Sequence, residues 1–378
     1  MIKVYSSADT GAPVVNGLAY TSGVINLLDT ILLAAGGYNS GAGTFVKNGS
    51  IVTVTRTNHG FITDDVVECS GGETGQFQIT KLDANNFTYL NASAATSGSV
   101  TTKKAPCSWS AGYTATVSTT TRKSYRSPSS KGYVEITETT ATSTVTVSGW
   151  ETMSASNTGT NQFLLSAANT KSVDTGATPS HWICIVINEV FVYLFLSATS
   201  TVNPIGNVTQ FAPLIFGEFD TAVSGVDAYN FLVGVSDIGS AASWYFSTIG
   251  STLNSGNGTR LKICKGKDQL TGSAIAVVYH KIDLCAIGNA NDPSSPAGIY
   301  SVPDYDSGNI VMIQGEIWQG NIKAVRGFFP FLRFSPQSLR TLNGSLSKYS
   351  FTSGSYAGQI WLLIPGVSAT SQLFIRIK

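Results

Sequence analysis

The chain has 378 residues, a formal net charge of +1 and a pI near 7.6; 12% of it is Asp, Glu, Lys or Arg and 42% is apolar. Soluble domains carry roughly twice that share of charge, and disorder needs few apolar residues with a high net charge, so global disorder is excluded. Near-neutrality also excludes the basic footprint of a DNA or anionic-lipid binder, while the remaining polarity, about a quarter Ser plus Thr together with 38 Gly, suits a surface covered by neighbouring subunits.

The opening Met1-Ile-Lys-Val-Tyr-Ser-Ser7 lacks the basic and apolar segments of a signal peptide, so export by that route is not expected. From Ser22 to Gly37, Val24, Leu27, Leu28 and Ile31 follow the i, i+3, i+4, i+7 spacing of a helix face. This predicts a helix of about three to four turns docked on a sheet, with Ser22 as N-cap and Gly36 or Gly37 as its stop. Beyond it the pattern is strand and turn. Ile51-Val-Thr-Val-Thr-Arg56, Phe77-Gln-Ile79 and Phe87-Thr-Tyr89 alternate as half-buried strands, with turns at Asn58-His-Gly60, Ser70-Gly-Gly72 and Asp83-Ala-Asn-Asn86. They predict a compact module of five or six strands between about Gly43 and Lys104. Tyr133-Val-Glu-Ile-Thr137 and Thr144-Val-Thr-Val147 alternate again.

Trp182-Ile-Cys-Ile-Val-Ile187 and Val190-Phe-Val-Tyr-Leu-Phe195 are separated by Asn188-Glu189, the spacing of a tight hairpin. Both runs are apolar at nearly every position, so both faces should be covered, and they are assigned to the centre of the main core. The apolar stretch His181–Leu196 is broken by Asn188 and Glu189 and is too short to span a membrane. Later strands are expected at Leu261–Cys264, Ile275–Tyr279, Val311–Trp318, Gln359–Ile364 and Gln372–Ile377, with a loop at Asn289–Gly298. No fixed-period repeat supports a solenoid or propeller.

Chemistry-bearing motifs are sparse. Cys69, Cys107, Cys184, Cys264 and Cys285 contain no CxxC pair and read as reduced, partly buried thiols. His59, His181 and His280 form no metal-ligand spacing, and no GxSxG, Walker A or strand-to-helix GxGxxG sequence occurs. The neighbouring carboxylates Glu135/Glu138, Glu218/Asp220 and Asp304/Asp306 are weighed as acid/base pairs or a calcium site and set aside, since such spacing is common by chance. Arg122-Lys-Ser-Tyr-Arg126 is a basic cluster enclosing an aromatic, read as a solvated loop or an interface partner rather than a nucleic-acid site. No catalytic, metal or cofactor residues are assigned.

Thr10-Gly-Ala-Pro13, Gly17 and Val24-Ile-Asn-Leu-Leu-Asp29 resemble the start of a family of tailed-bacteriophage virion proteins. Val52-Thr-Val-Thr55, His59-Gly-Phe61, Asp65-Val-Val67, Gly75 to Thr80 and Asn86-Phe-Thr-Tyr89 resemble the small β module of phage tail and neck proteins. Lys103-Lys-Ala-Pro106, Trp109, Lys123-Ser-Tyr-Arg126, Gly149 to Met153 and Thr158-Gly-Thr160 continue the resemblance. Gly217-Glu-Phe219, Asp227-Ala-Tyr229, Arg326-Gly-Phe-Phe-Pro330 and Leu373-Phe-Ile-Arg-Ile377 complete it in order. Where the family pattern has Gly-Asp before two valines this chain has Asp64-Asp65, and Cys107-Ser108 replaces small residues before Trp109. The resemblance implies a structural particle component and brings no catalytic residues.

The expected fold is mainly β: an antiparallel sandwich or jelly-roll-like main domain with one short N-terminal helix and an inserted small barrel-like module. The expected divisions are 1–44, part of the main domain; 45–105, the inserted module; and 106–378, the main sandwich. The expected function is non-enzymatic, a virion structural protein at the neck, tail or baseplate, assembled in the host cytoplasm with other virion proteins and copies of itself. Trp109, Tyr113, Phe328, Phe329 and Phe331, with Arg122, Lys123, Tyr125 and Arg126, are the candidate interface, because buried aromatics dominate interface energetics. The alternative is a carbohydrate- or receptor-binding module at the tail tip, built on loops 289–298 or 301–309. A glycosidase, needing two facing carboxylates, is a third reading.

Overall fold

The computed structural model describes residues 1–15, 23–92, 96–140, 144–163, 170–172, 182–197, 211–236, 259–264, 278–279, 313–319, 324–335, 348–352, 354–364 and 372–378. The fold is mainly β, with antiparallel sheets and one short α-helix, as the sequence predicts. A central sheet runs in the order Ile2–Ser6, Trp182–Ile187, Phe191–Ser197, Phe211–Glu218, Phe231–Ser236, Thr259–Ile263. Its hairpin is the apolar pair singled out above. The connection is one residue longer than expected: Ile187 pairs with Phe191, and Val190 belongs to the turn, its N–H donating to the Ile187 carbonyl at 3.0 Å. Asn188 (φ 50°) and Glu189 (φ 66°) both take left-handed backbone, which suits the twist of the flanking strands.

Every side chain from Trp182 to Ile187 is buried, and alternate residues serve different cores. Trp182, Cys184 and Val186 join Leu27, Leu28 and Ile31 of the helix and Val134, Ile136, Val145 and Val147 of a second sheet. Ile183, Ile185 and Ile187 instead meet Phe329, Leu332, Leu362 and Ile375. The central sheet is therefore the middle of three layers, which is why its strands lack a polar face. The second sheet has the order Thr158–Gln162, Thr144–Ala155, Tyr133–Thr139, Thr120–Arg126, Ser110–Val117. The C-terminal sheet runs Val278–Tyr279, Ile313–Gln319, Ala324–Ser335, Gln372–Arg376, Ile360–Ile364, Lys348–Ser350.

The helix, Val24–Leu32, has nine residues, shorter than its apolar pattern suggests. Ser22 lies outside the described residues, and the N-cap is Gly23, which has no side chain to cap with. Glu138 of the second sheet takes over: its Oε1 accepts the Ile25 N–H at 2.9 Å. A Cβ on Gly23 would lie 2.4 Å from that oxygen, so the close approach requires glycine. At the other end the chain becomes extended at Leu33, ahead of Gly36 and Gly37, because Leu33 bridges Trp109. The Cys107 and Trp109 N–H groups donate to the Ile31 and Leu32 carbonyls at 2.7 and 3.0 Å, satisfying helix-end acceptors from a distant segment.

Residues 38–104 form a separate seven-stranded sheet in the order Gly75–Gln78, Val66–Gly71, Ser97–Lys104, Tyr38–Asn48, Ile51–Thr55, Asn86–Leu90, Thr80–Lys81. Its first and last strands are neighbours in the chain, so the sheet curls until it nearly closes. Phe45, Val52, Val54, Phe61, Val67, Phe87, Tyr89 and Val100 fill it. The expected strand through Ile79 is interrupted there: the Ile79 N–H donates to the Asp65 carbonyl at 3.0 Å, between the two terminal strands.

Candidate interaction surfaces

Buried polar contacts fix the base of the curled sheet to the layered body. Lys104 Nζ lies 2.5 Å from Asp65 Oδ1 and 3.1 Å from Asp9 Oδ2, and Asp9 Oδ2 also accepts the Tyr38 hydroxyl at 2.6 Å. Burial raises the Asp65 carboxyl against the opposing pull of Lys104. A second clamp centres on Lys3, whose Nζ contacts Glu189 Oε1 at 2.5 Å, the Pro106 carbonyl at 2.5 Å and Gln76 Oε1 at 2.7 Å. The hairpin turn thus grips both the module and the segment leaving it. The backbone carbonyl of the same Glu189 accepts Trp109 Nε1–H at 2.6 Å.

The far end of the module is different. Register aligns Asn48, Ile51 and Leu90 in one row, Val46, Thr53 and Thr88 in the next, and Thr44, Thr55 and Asn86 in the third. Paired residues share a face, and this face is opposite to core-facing Phe45, Val52, Val54, Phe87 and Tyr89. None of the nine is charged. Val46, Ile51 and Leu90 are 63%, 49% and 71% exposed, a group of aliphatics in a threonine field.

The expected interface residues are placed mostly inside the molecule. Trp109 is in the first core, edge-on to Phe216 with centroids 5.4 Å apart. Tyr125 is fully buried, its hydroxyl donating to the Ile25 carbonyl at 3.1 Å or Asp29 Oδ1 at 3.0 Å, and Lys123 pairs with Asp29 at 2.7 Å. This part of the basic cluster docks the helix, because alternate residues of strand Thr120–Arg126 face the first core. Phe329 is buried in the second core. These three aromatics are consequently not exposed anchors. Arg126 stacks 5.2 Å from the Tyr133 ring centroid, Tyr113 donates its hydroxyl to the Met153 carbonyl at 3.1 Å, and Arg122 is half-buried. Phe328 and Phe331 are half-buried on strand Ala324–Ser335, with Arg376 3.6 Å from the Phe331 ring centroid. The outward threonine–aliphatic face was missed because each of its residues reads singly as an ordinary strand position. Only the register assembles it.

The titratable groups are engaged structurally. His59 is buried between Phe61 and Phe87; its Nδ1 accepts the Phe61 N–H at 3.0 Å and Nε2 lies 3.1 Å from the Asp83 carbonyl. Burial holds its pKa below the ordinary histidine value. Glu135 and Glu138 lie on opposite faces of their strand: Glu135 receives Ser156 Oγ–H and the Asn157 N–H, each at 2.9 Å, while Glu138 caps the helix. Glu218 accepts the hydroxyls of Ser127 and Ser129. Among the described residues no group of three His, Cys, Asp or Glu is placed to hold a metal. His181, His280, Cys285, the Asp304/Asp306 pair and both proposed sugar-binding loops lie outside the described residues.

No family model matches the chain, and no curated protein matches it. Among solved structures, the phage phi92 endosialidase is similar across 90% of this chain and 70% of that chain, with 11% identity and a TM-score of 0.17. A TM-score that low defines no shared fold and carries no argument about activity.

Proposed function

We propose that this chain is a non-enzymatic structural component of a tailed-phage virion, joined at the neck or tail to copies of itself and to other virion proteins. The ordered motif resemblance along the chain supports the class. The observation that carries the assembly role is the charge-free patch on the outer face of strands Tyr38–Asn48, Ile51–Thr55 and Asn86–Leu90. Desolvating Val46, Ile51 and Leu90 with surrounding threonines costs little, because no charge has to lose its water on contact. Buried ion pairs at the base hold that face in a fixed position, so little ordering entropy is lost on docking.

The test is the triple substitution Val46→Lys, Ile51→Lys and Leu90→Lys. All three side chains are outside the core, so the variant should melt within a few degrees of the parent. It should stay monomeric in sedimentation velocity and be absent from purified particles. Incorporation at the parental level would overturn the assignment of this face. Substituting Phe328 and Phe329 with Ser is no substitute test, because Phe329 is fully buried and its loss would unfold the second core.

A further inference from the structure

The C-terminal sheet carries two arginines and a group of aromatic rings on the face away from the second core. Register sets Arg333 opposite Phe374, and Arg376 opposite Trp361, which is in turn opposite Tyr349. Paired residues share a face, so these five lie together, whereas Leu332, Leu362 and Ile375 point into the core. Trp361 and Phe374 pack with half-buried Tyr349, Phe351 and Tyr356. Tyr356 and Trp361 are 5.6 Å apart and Tyr349 and Phe374 5.5 Å apart, both edge-on.

Among the described residues the arginines have aromatic neighbours and no acid in ion-pair contact. The Arg333 guanidinium lies 5.8 Å from the Trp361 ring centroid and that of Arg376 lies 3.6 Å from Phe331. Arg333 donates to the Leu332 carbonyl at 3.0 Å, and the buried Nε of Arg376 has no hydrogen-bond partner, nor does the buried Tyr349 hydroxyl. Among the described residues neither arginine makes an ion pair. Asp220 lies close enough for the Arg333 charge to lower its pKa against burial, yet beyond ion-pairing distance. Burial, and then the charge of Arg333, pull Arg376 below the ordinary arginine value. Two guanidinium groups close enough to repel, on a charge-poor chain, are unfavourable unless an anion joins them.

We propose that this face binds an anionic saccharide: Arg333 and Arg376 take its carboxylate or phosphate, and its ring rests on Tyr349, Phe351 and Tyr356. Guanidinium forks match both oxyanions in geometry. Half-buried aromatic rings with a polar side chain beside them, here Gln359, whose oxygen accepts the Trp361 Nε1–H at 3.0 Å, suit a ring bearing hydroxyls. The site goes beyond the assembly role and fails separately from it, since ligand binding is measured on the isolated chain and is indifferent to the outer face of the curled sheet.

The experiment is calorimetric titration of the full chain with glucuronate, glucose 6-phosphate, glucose and acetate at fixed ionic strength. At least one charged sugar should bind about tenfold or more tightly than either glucose or acetate, the two arms showing whether carboxylate or phosphate is preferred. Arg333→Gln and Arg376→Gln should each weaken that binding by about tenfold or more, Arg333→Lys by less. Binding of glucose or acetate as tightly as the charged sugars overturns the proposal, as does the absence of binding by both charged sugars. If Arg376→Gln does not melt cooperatively, Arg333→Gln decides: parental affinity in a folded Arg333→Gln protein would equally sink it.

Discussion

Glu138 is 1% exposed, with one oxygen on the Ile25 N–H and the other without a partner. Burial pushes its carboxyl up to about 7 from 4.5, with Asp29 adding to the rise against the helix N–H groups. The folded chain therefore holds this proton more tightly than the unfolded chain. The stabilisation is complete below about pH 4.5 and is lost as pH rises through about 7. Glu138→Gln keeps an acceptor for Ile25 and removes the titration. Its stability relative to the parent should rise from pH 4.5 to 8 by on the order of 2–3 kcal/mol, read from denaturant midpoints; a pH-independent difference would refute the account. The thiols give a second residue-level expectation. Burial raises Cys69 to about 11 and Cys107 to about 12, and Cys184 and Cys264 are buried too. Brief alkylation of native protein should leave these four unmodified by mass spectrometry, with labelling only after denaturation. The sequence makes Trp109 look like an anchor because residue type alone does not tell an interface aromatic from a core one. Its bridge to Leu33 and its bond to Glu189, 80 positions away, are long-range facts. Trp109→Ala should cost about 3–5 kcal/mol in folding stability.

Among the elements, the hairpin Trp182–Ser197 was the most legible. Two unbroken apolar runs need burial on both faces, and a short spacer leaves few turn geometries; only the placement of Val190, apolar like a strand residue but in the turn, was not legible. The helix was legible in position but not in length. Its apolar face predicts existence, whereas its end is set by Cys107 and Trp109 in the segment leaving the curled sheet and its cap by Glu138, none of them local. The Lys3–Glu189 clamp was invisible in sequence for the same reason. It ties the edge strand, the hairpin turn and the module together. Lys3 is 2% exposed and Glu189 about a quarter, so removing the acid strands a buried ammonium. Glu189→Ala should destabilise by about 3 kcal/mol or more, whereas the double variant Lys3→Met/Glu189→Ala should recover part of the loss. Strictly additive effects in that double-mutant cycle would show that the pair is not coupled.

At the scale of the whole molecule, three layered sheets share two cores, and the curled sheet keeps a third of its own. Calorimetry should therefore resolve a transition for residues 38–104, and Lys104→Met should lower that transition more than the main one, since it removes both the Asp65 and Asp9 contacts. The architecture also orders events during synthesis. Strand Ile2–Ser6 pairs with Trp182–Ile187, and the helix receives its cap from Glu138, so both emerge from the ribosome long before their partners exist. At common elongation speeds the edge strand waits about 10 to 40 s. Residues 38–104, whose strand partners all lie within that span, are free to fold in the interval. The nascent chain would thus carry a finished barrel ahead of an unpaired apolar segment, and the interval before Ile187 appears is when a holdase would be most needed.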